Sequence, residues 1–316
     1  MELVRYLHNL KTRHKGCVIT IGNFDGVHTG HQAVIRQLQQ YAREVSLPTV
    51  VVTFEPQPLE FFSPGTAPAR LTSLREKMEW LSEHGIDRVW CLRFQKSLAE
   101  LPAGDFVEQL LVQGLGAKYI VVGDDFRFGK GRAGDFRLLQ SLQEKFGFTV
   151  LSTETLMTGG ERVSSSRIRE LLGTGRLQDV VPLLGRPYSM SGRVIRGDDR
   201  GKQLGFPTAN IALKRNKSPL LGVFAVRVEG LQDRIYKGVA NLGTRPVFFG
   251  NQVLLEVHLL DFTGDIYGRH LHVNFDFRIR AEQKFASVAE LVNQIERDIE
   301  SARQYYAEHR LVKSEE

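Results

Sequence analysis

The chain has 316 residues, 42% hydrophobic and 25% charged, with 42 Lys and Arg against 36 Asp and Glu, a net charge of +6. These values sit near the average for folded globular proteins and exclude a disordered chain, a collagen-like repeat and a disulfide scaffold; the length suggests about two domains. The positive excess forms no block or tail, so it does not argue for nucleic acid and suits anionic small substrates equally well.

In chain order, residues 1–16 are broken by charge every few positions and hold no apolar core for a signal peptide. Apolar, β-rich runs follow at Cys17–Ile21, Thr49–Phe54, Val89–Phe94, Tyr119–Val122 and Phe148–Leu151. Helical patterns lie between them. Val34, Ile35, Leu38, Tyr41 and Ala42 share one helical face, and Ser73 with Glu76 reads as a capping box. Continuous apolar strands alternating with helices predict a parallel sheet covered on both faces. Cys17 and Cys91, the only cysteines, lie in such strands, so buried, reduced thiols and a cytoplasmic location are expected. No apolar run approaches the ~18 residues of a membrane span.

Two short helices are expected at Ser165–Leu172 and Leu177–Leu184. From Tyr188 the apolar residues alternate with period two. Leu271, Val273, Phe275, Phe277 and Ile279 face one way in the clearest run, His270–Arg280. This predicts a small antiparallel β-barrel. A closing helix starts at a Ser287/Glu290 capping box and carries Val288, Leu291, Val292, Ile295 and Ile299 as its stripe. Gly185 and Pro187 interrupt both periodicities, which places the domain boundary at 185/186.

The segment Thr20–Gln32 (TIGNFDGVHTGHQ) puts a Gly/Asn/Asp turn at a strand end, and His28 and His31 three apart on the helix that follows. Ligands favour such strand ends, and a helix N-terminus favours phosphate. Two imidazoles there can donate to phosphate oxygens as charge develops on a leaving pyrophosphate. Solvated histidines or a His-x-x-His metal pair remain alternatives on spacing alone. The Gly129/Gly131/Gly134 pattern does not directly follow a strand, so it is not a dinucleotide fingerprint. In the second half, Gly192–Ile211 (GRVIRGDDRGKQLGFPTANI) enters a strand on which Thr208 and Asn210 share a face. A hydroxyl and an amide carbonyl are hard oxygen donors of the kind magnesium accepts beside substrate phosphates; turn hydrogen bonding is the competing explanation.

The TIGNFDGVHTGH string resembles the H-x-G-H signature of the nucleotidyltransferase superfamily, in the form found in bacterial bifunctional riboflavin kinase/FMN adenylyltransferases, or FAD synthetases. VTFEPQP at Val52–Pro58, GDDFRFG at Gly123–Gly129 with Arg132 and Asp135, and VSSSRIR at Val163–Arg169 are similar to that family's N-terminal half. GKQLGFPTAN, GVANLGTRP at Gly238–Pro246 and LEVHLLDF at Leu255–Phe262 are similar to its kinase half. The resemblance implies a Rossmann-like FMN adenylyltransferase domain over 1–185 and a riboflavin kinase barrel over 186–316, with riboflavin, FMN and ATP as small-molecule substrates and Mg²⁺ as the metal. It implies His28 and His31 as catalytic. Gly22, Asn23, Phe24, Asp25, Ser164, Ser165, Arg167 and Arg169 would contact nucleotide, and Asp125 and Arg127 would lie on the flavin side. In the barrel it implies Gly201, Lys202, Gly205, Pro207, Asn241 and Arg245 as binding residues, Thr208 and Asn210 as Mg-ATP ligands, and Glu256 as the base. Gln57 and Val247 stand where relatives carry His and Thr, so no role is transferred to either. A class I tRNA-synthetase-like ligase would need a KMSKS-like loop, which the chain lacks. A flavin sensor or RNA-binding regulator would not need His28, His31 and Glu256 together.

Overall fold

The computed structural model describes residues 1–153, 156–197, 200–213, 215–232, 234–247 and 250–309; the side chains of residues 200, 202, 245–247 and 250–252 lie outside that description. The chain divides into two compact units, Met1–Pro68 with Thr72–Ser165, and Ala69–Leu71 with Ser166–Glu316.

The first unit runs β1 (Glu2–Arg5), β2 (Cys17–Ile21), α1 (Thr29–Glu44), β3 (Thr49–Glu55), α2 (Pro58–Phe62), α3 (Leu74–Glu83), β4 (Arg88–Arg93), α4 (Lys96–Ala99), α5 (Ala103–Asp105), β5 (Ala117–Gly123), α6 (Phe136–Phe146), β6 (Thr149–Thr153), and a short hairpin of β7 (Met157–Thr158) and β8 (Glu161–Arg162). A π-helical stretch, Phe106–Gly114, follows α5. β1–β6 form one parallel sheet in the order β1-β4-β3-β2-β5-β6. Every residue of β2 is buried, as a strand covered on both faces requires. Cys17, Ile19 and Ile21 pack with Phe106 and Leu111 on one side; Val18 packs with Ile35 and Leu38 of α1 on the other. The expected capping box of α3 is present: Glu76 N–H donates to Ser73 Oγ at 3.2 Å, and Ser73 N–H to Glu76 Oε2 at 2.6 Å. β1 is not foreseen from the sequence, because an edge strand with Val4 as its one buried residue leaves no periodic signal.

The second unit runs α7 (Ser165–Gly173), α8 (Leu177–Leu184), β9 (Tyr188–Ile195), α9 (Arg200–Gln203), β10 (Ala209–Ala212), β11 (Gly222–Leu231), β12 (Arg234–Val247), β13 (Gly250–Leu259), β14 (His270–Arg280) and α10 (Val288–Glu308). Its strands close into an antiparallel barrel in the order β10-β13-β12-β11-β14-β9. Phe224, Val226, Ala240, Leu242, Leu255, Val257, Leu271, Val273 and Phe275 are buried along these strands, and Phe224 meets Phe275 edge to face at 5.4 Å. The compact division at 165/166 precedes the sequence break at Gly185–Pro187, because α7 and α8 belong to this unit. Gln178 on α8 donates to the Asp276 carbonyl at 2.9 Å.

The expected alternation in β14 breaks after Phe275. The partners Val226↔Phe275 and Ala225↔Phe277 leave Asp276 as an extra residue, a bulge. Asp276 is buried, clamped by Arg227 through two 2.8 Å bonds and accepting from Tyr306 Oη at 2.9 Å. Phe277 is pushed outward, where it stacks on Tyr305 of α10 at 5.0 Å. The stripe of α10 shifts likewise. Val288 is exposed, and Ala302 and Tyr306 make the buried contact with Val223, Ala225 and Val239. Both cysteines are free and buried. Among the described residues no helix is long and apolar enough to cross a membrane.

Candidate functional site

The parallel sheet reverses its strand order between β2 and β5, since the chain builds outward from β2 through β3 and β4 and then returns to β5 and β6 on the other side. Ligands bind at such a switch point, beyond the carboxyl ends of the strands. Both sequence motifs of this half lie there: the Gly22–His31 segment leaves β2 and the Asp124–Gly129 segment leaves β5. A cavity of about 720 Å³ opens between them, lined among others by Gly22, Asn23, Phe24, His28, Gly30, His31, Asp125, Arg127, Ser164 and Ser165.

His28 is the N-cap of α1. Its Nδ1 accepts from the His31 N–H at 3.3 Å, so the neutral ring carries its proton on Nε2. The two imidazoles stack at 3.6 Å between centroids, with Phe24 4.8 Å from His31. Burial first, then the His28 and Lys77 charges, hold the His31 imidazole well below the usual histidine range. His31 Nδ1 and Asn23 Oδ1 are shielded from solvent and have no hydrogen-bond partner among the described residues, the state expected of polar groups that await a ligand.

Other expected residues of this half take different positions. Asp25 does not line the cavity; its carboxylate accepts from Thr72 N–H at 3.1 Å and Thr72 Oγ1 at 3.3 Å, bracing the turn. Ser165 Oγ donates to the Asp25 carbonyl at 2.8 Å, tying the start of the Val163–Arg169 segment to the Gly22–His31 segment. Asp125 pairs with Arg162 at 2.6 Å, and exposed Arg127 donates to the Phe126 carbonyl at 2.9 Å. Arg132 lines the cavity, whereas Asp135 caps α6 by accepting from Leu138 N–H at 3.0 Å. Arg167 and Arg169 fall in the second unit; Arg167 pairs with Glu170 at 2.9 Å and Arg169 donates to the Ala69 carbonyl at 2.6 Å. An apolar wall of Phe54, Phe62, Phe94, Phe106, Phe126 and Phe128 completes the cavity. No spacing in the sequence announces it, because its members come from five separate segments. The available signals are the GDDFRFG segment, which carries Phe126 and Phe128, and the exposed apolar residues Leu59, Phe61 and Phe62 after β3, with Phe62 62% exposed.

In the barrel, β13 is hydrogen-bonded to β10 on one side and β12 on the other. Glu256 pairs with Asn210 and with Asn241, so three polar side chains form one row across the three strands. Their chain neighbours Ala209, Ile211, Ala240, Leu242, Leu255 and Val257 are buried, which places the row on the outer face. Thr208 precedes β10. The Gly-rich segment folds onto it: Gly201 lies so close that a Cβ there would stand 3.0 Å from Thr208 Oγ1, and one at Gly197 would collide with the Asn210 amide. Gly205 adopts a φ of 88° in the same turn. His258 Nδ1–H donates to the Pro207 carbonyl at 2.9 Å, holding the turn against β13. Thr208, Asn210, Asn241 and Glu256 are half-buried, and their side chains have no hydrogen bond or ion pair among the described residues. The side chains of Lys202 and Arg245, both expected at this site, lie outside the described ones.

The FAD synthetase family matches residues 10–167, and the riboflavin kinase family residues 184–306. The bifunctional riboflavin kinase/FMN adenylyltransferase of Escherichia coli K12 is 51% identical over 97% of this chain and 98% of its own. The enzyme of the same description from Pseudomonas fluorescens is 49% identical over 96% and 97%. A solved structure from Streptococcus pneumoniae, described as a macrolide-efflux protein, superposes with a TM-score of 0.80 at 31% identity, covering 96% of this chain and 99% of that one.

Proposed function

Because the chain belongs to the bifunctional riboflavin kinase/FMN adenylyltransferase family and has both activities, we propose how its residues divide the work. The adenylyltransferase is assigned to residues 1–185 and the kinase to 186–316, a division after the end of the FAD synthetase match at 167 and two residues inside the riboflavin kinase match, which begins at 184. The observation that carries the assignment of the first site is the stacked His28–His31 pair at the start of α1, inside a cavity whose far wall is aromatic. The phosphate groups of ATP and FMN suit the helix end, and the flat isoalloxazine suits the phenylalanines.

In the adenylyl step an FMN phosphate oxygen attacks the α-phosphorus of ATP, and pyrophosphate leaves with the bonding electrons. The nucleophile is already ionised, so the protein needs no base. His28 and His31 would donate to the phosphate oxygens as charge moves to the leaving group, while Asn23 and the Ser164 and Ser165 hydroxyls orient the substrates.

In the kinase step the riboflavin 5′-hydroxyl attacks the γ-phosphorus of ATP. Glu256 would take the hydroxyl proton, and ADP leaves. Thr208 and Asn210 supply unengaged hard oxygens beside Glu256, a donor set that fits Mg²⁺. We assign them to hold it with the ATP phosphates; bound there, the ion neutralises phosphate charge. A cytoplasmic location belongs to the same proposal, supported by two free, buried cysteines.

Incubation of the chain with riboflavin, ATP and Mg²⁺, sampled over time, should show FMN appearing before FAD. FAD from supplied FMN with no FMN formed from riboflavin would remove the kinase assignment, and the reverse would remove the other.

Gly30 offers a sharper check on the first site. A Cβ there would stand 3.1 Å from His28 Nδ1. Alanine also favours a helix over glycine by about 1 kcal/mol. Gly30→Ala is therefore expected to keep or raise the melting temperature while slowing FAD formation, because the His28 ring must shift. Unchanged FAD formation would show that the ring position does not matter.

A further inference from the structure

β12 presents Asn241 and Gly243 on its outer face, since Ala240 and Leu242 point into the barrel and are fully buried. Gly243 is covered by another residue. The carboxylate of Glu282, from the segment between β14 and α10, lies on it: a Cβ at Gly243 would collide with Glu282 Oε1 and stand 3.0 Å from Cδ. Glu282 is exposed, and among the described residues its carboxylate has no hydrogen bond and no ion pair. Gly243 pairs with Leu254, which makes it the diagonal neighbour of Glu256. Such neighbours lie about 7–8 Å apart, within reach of long side chains. Two carboxylates therefore share the β12–β13 face, while Thr208 and Asn210 lie across β13 on the β10 side.

That order has a chemical consequence. The attacking hydroxyl must stand roughly in line with the γ-phosphorus and its leaving oxygen, within reach of the base. With the ATP phosphates on the β10 side, the hydroxyl arrives over Glu256 from the β12 side. The riboflavin 5′-hydroxyl ends a neutral ribityl chain that carries further hydroxyls, each a hydrogen-bond donor. An ionised carboxylate accepts only, and it accepts strongly.

We propose that Glu282 is a substrate-binding residue of the kinase centre: its carboxylate accepts hydrogen bonds from the ribityl hydroxyls and holds the 5′-hydroxyl at Glu256. Gly243 leaves the space in which Glu282 lies. The proposal rests on Glu256 being the base.

The test measures riboflavin phosphorylation by the full chain for the wild type, Glu282→Gln and Glu282→Ala. Its readouts are KM for riboflavin, KM for ATP, kcat, and inhibition by lumiflavin, whose ring carries a methyl group in place of the ribityl chain. Glu282→Ala is expected to raise the riboflavin KM about tenfold or more, as loss of hydrogen bonds to a charged group would. The ATP KM and the lumiflavin inhibition constant should not move. Glu282→Gln, which keeps one acceptor oxygen, should fall between. An unchanged riboflavin KM, a rise in the ATP KM instead, or lumiflavin inhibition weakened to the same degree overturns the proposal. Should the Ala variant lose its melting transition, the isosteric Gln variant decides by the same criteria. Failure of the base assignment is read separately, from Glu256→Gln, so the two cannot be confused.

Discussion

Replacing Glu256 with Gln is expected to slow FMN formation from riboflavin by roughly 10²–10⁴, the usual contribution of a positioned general base. Its register partners are Asn210 and Asn241, neutral amides that cannot take the hydroxyl proton. Its side chain has no hydrogen bond or ion pair to lose among the described residues, and it is half-buried on an outer strand face. Gln keeps its size and most of its hydrogen bonding, so the barrel should fold and melt as before. FAD formation from supplied FMN should be unchanged, because that step belongs to the other site and its nucleophile is already ionised. The measurement is the pair of rates, riboflavin to FMN and FMN to FAD, on one preparation. Normal FMN formation would remove Glu256 from the mechanism, and loss of both rates would indicate a folding defect rather than a lost base.

Replacing His28 or His31 with Ala should slow FAD formation from FMN and ATP by roughly 10²–10³, the typical effect of losing one transition-state donor. Riboflavin phosphorylation should survive. The two rings stack at 3.6 Å, and His28 Nδ1 accepts from the His31 N–H, so each positions the other. The double variant is therefore expected to lose less than the product of the two single effects. His28→Ala also removes the N-cap of α1, which costs about 1 kcal/mol, so its melting temperature should be measured beside its rate. His31→Ala carries no such capping loss and is the cleaner comparison. FAD formation by the double variant at the wild-type rate would refute the assignment.

Several elements of the fold were readable without coordinates because their causes are local. β2 appears as a β-rich run of four apolar residues and Thr20, and all five are buried. The capping box of α3 forms where Ser73 and Glu76 stand, and Ser287 caps α10 as expected by accepting from the Glu290 N–H, although the Glu290 carboxylate reaches back to the Ala286 N–H and not to that of Ser287. Those patterns depend on residues a few positions apart, and burial or capping follows directly from them. β14 shows where local reading stops. Its alternation predicts Phe277 inside, yet the bulge at Asp276 turns it out, because Arg227 and Tyr306 satisfy a buried carboxylate there. Asp25 and Asp135 are likewise braces of turn and helix, roles set by Thr72 and by the start of α6.

By itself, the sequence determined the two architectures, the period change between them, and the segments that bear His28, His31, Thr208, Asn210 and Glu256. Tertiary structure alone decided what those residues face. The strand order brings the ends of β2 and β5 together, although the two strands are separated by β3 and β4 in the chain. The barrel register sets Glu256 between Asn210 and Asn241, and chain return after β14 lays Glu282 over Gly243. The physical reason is the range of the forces involved. Periodicity and capping record which side of a segment is buried, whereas pairing between distant segments is settled by which complete set of faces packs and closes its hydrogen bonds.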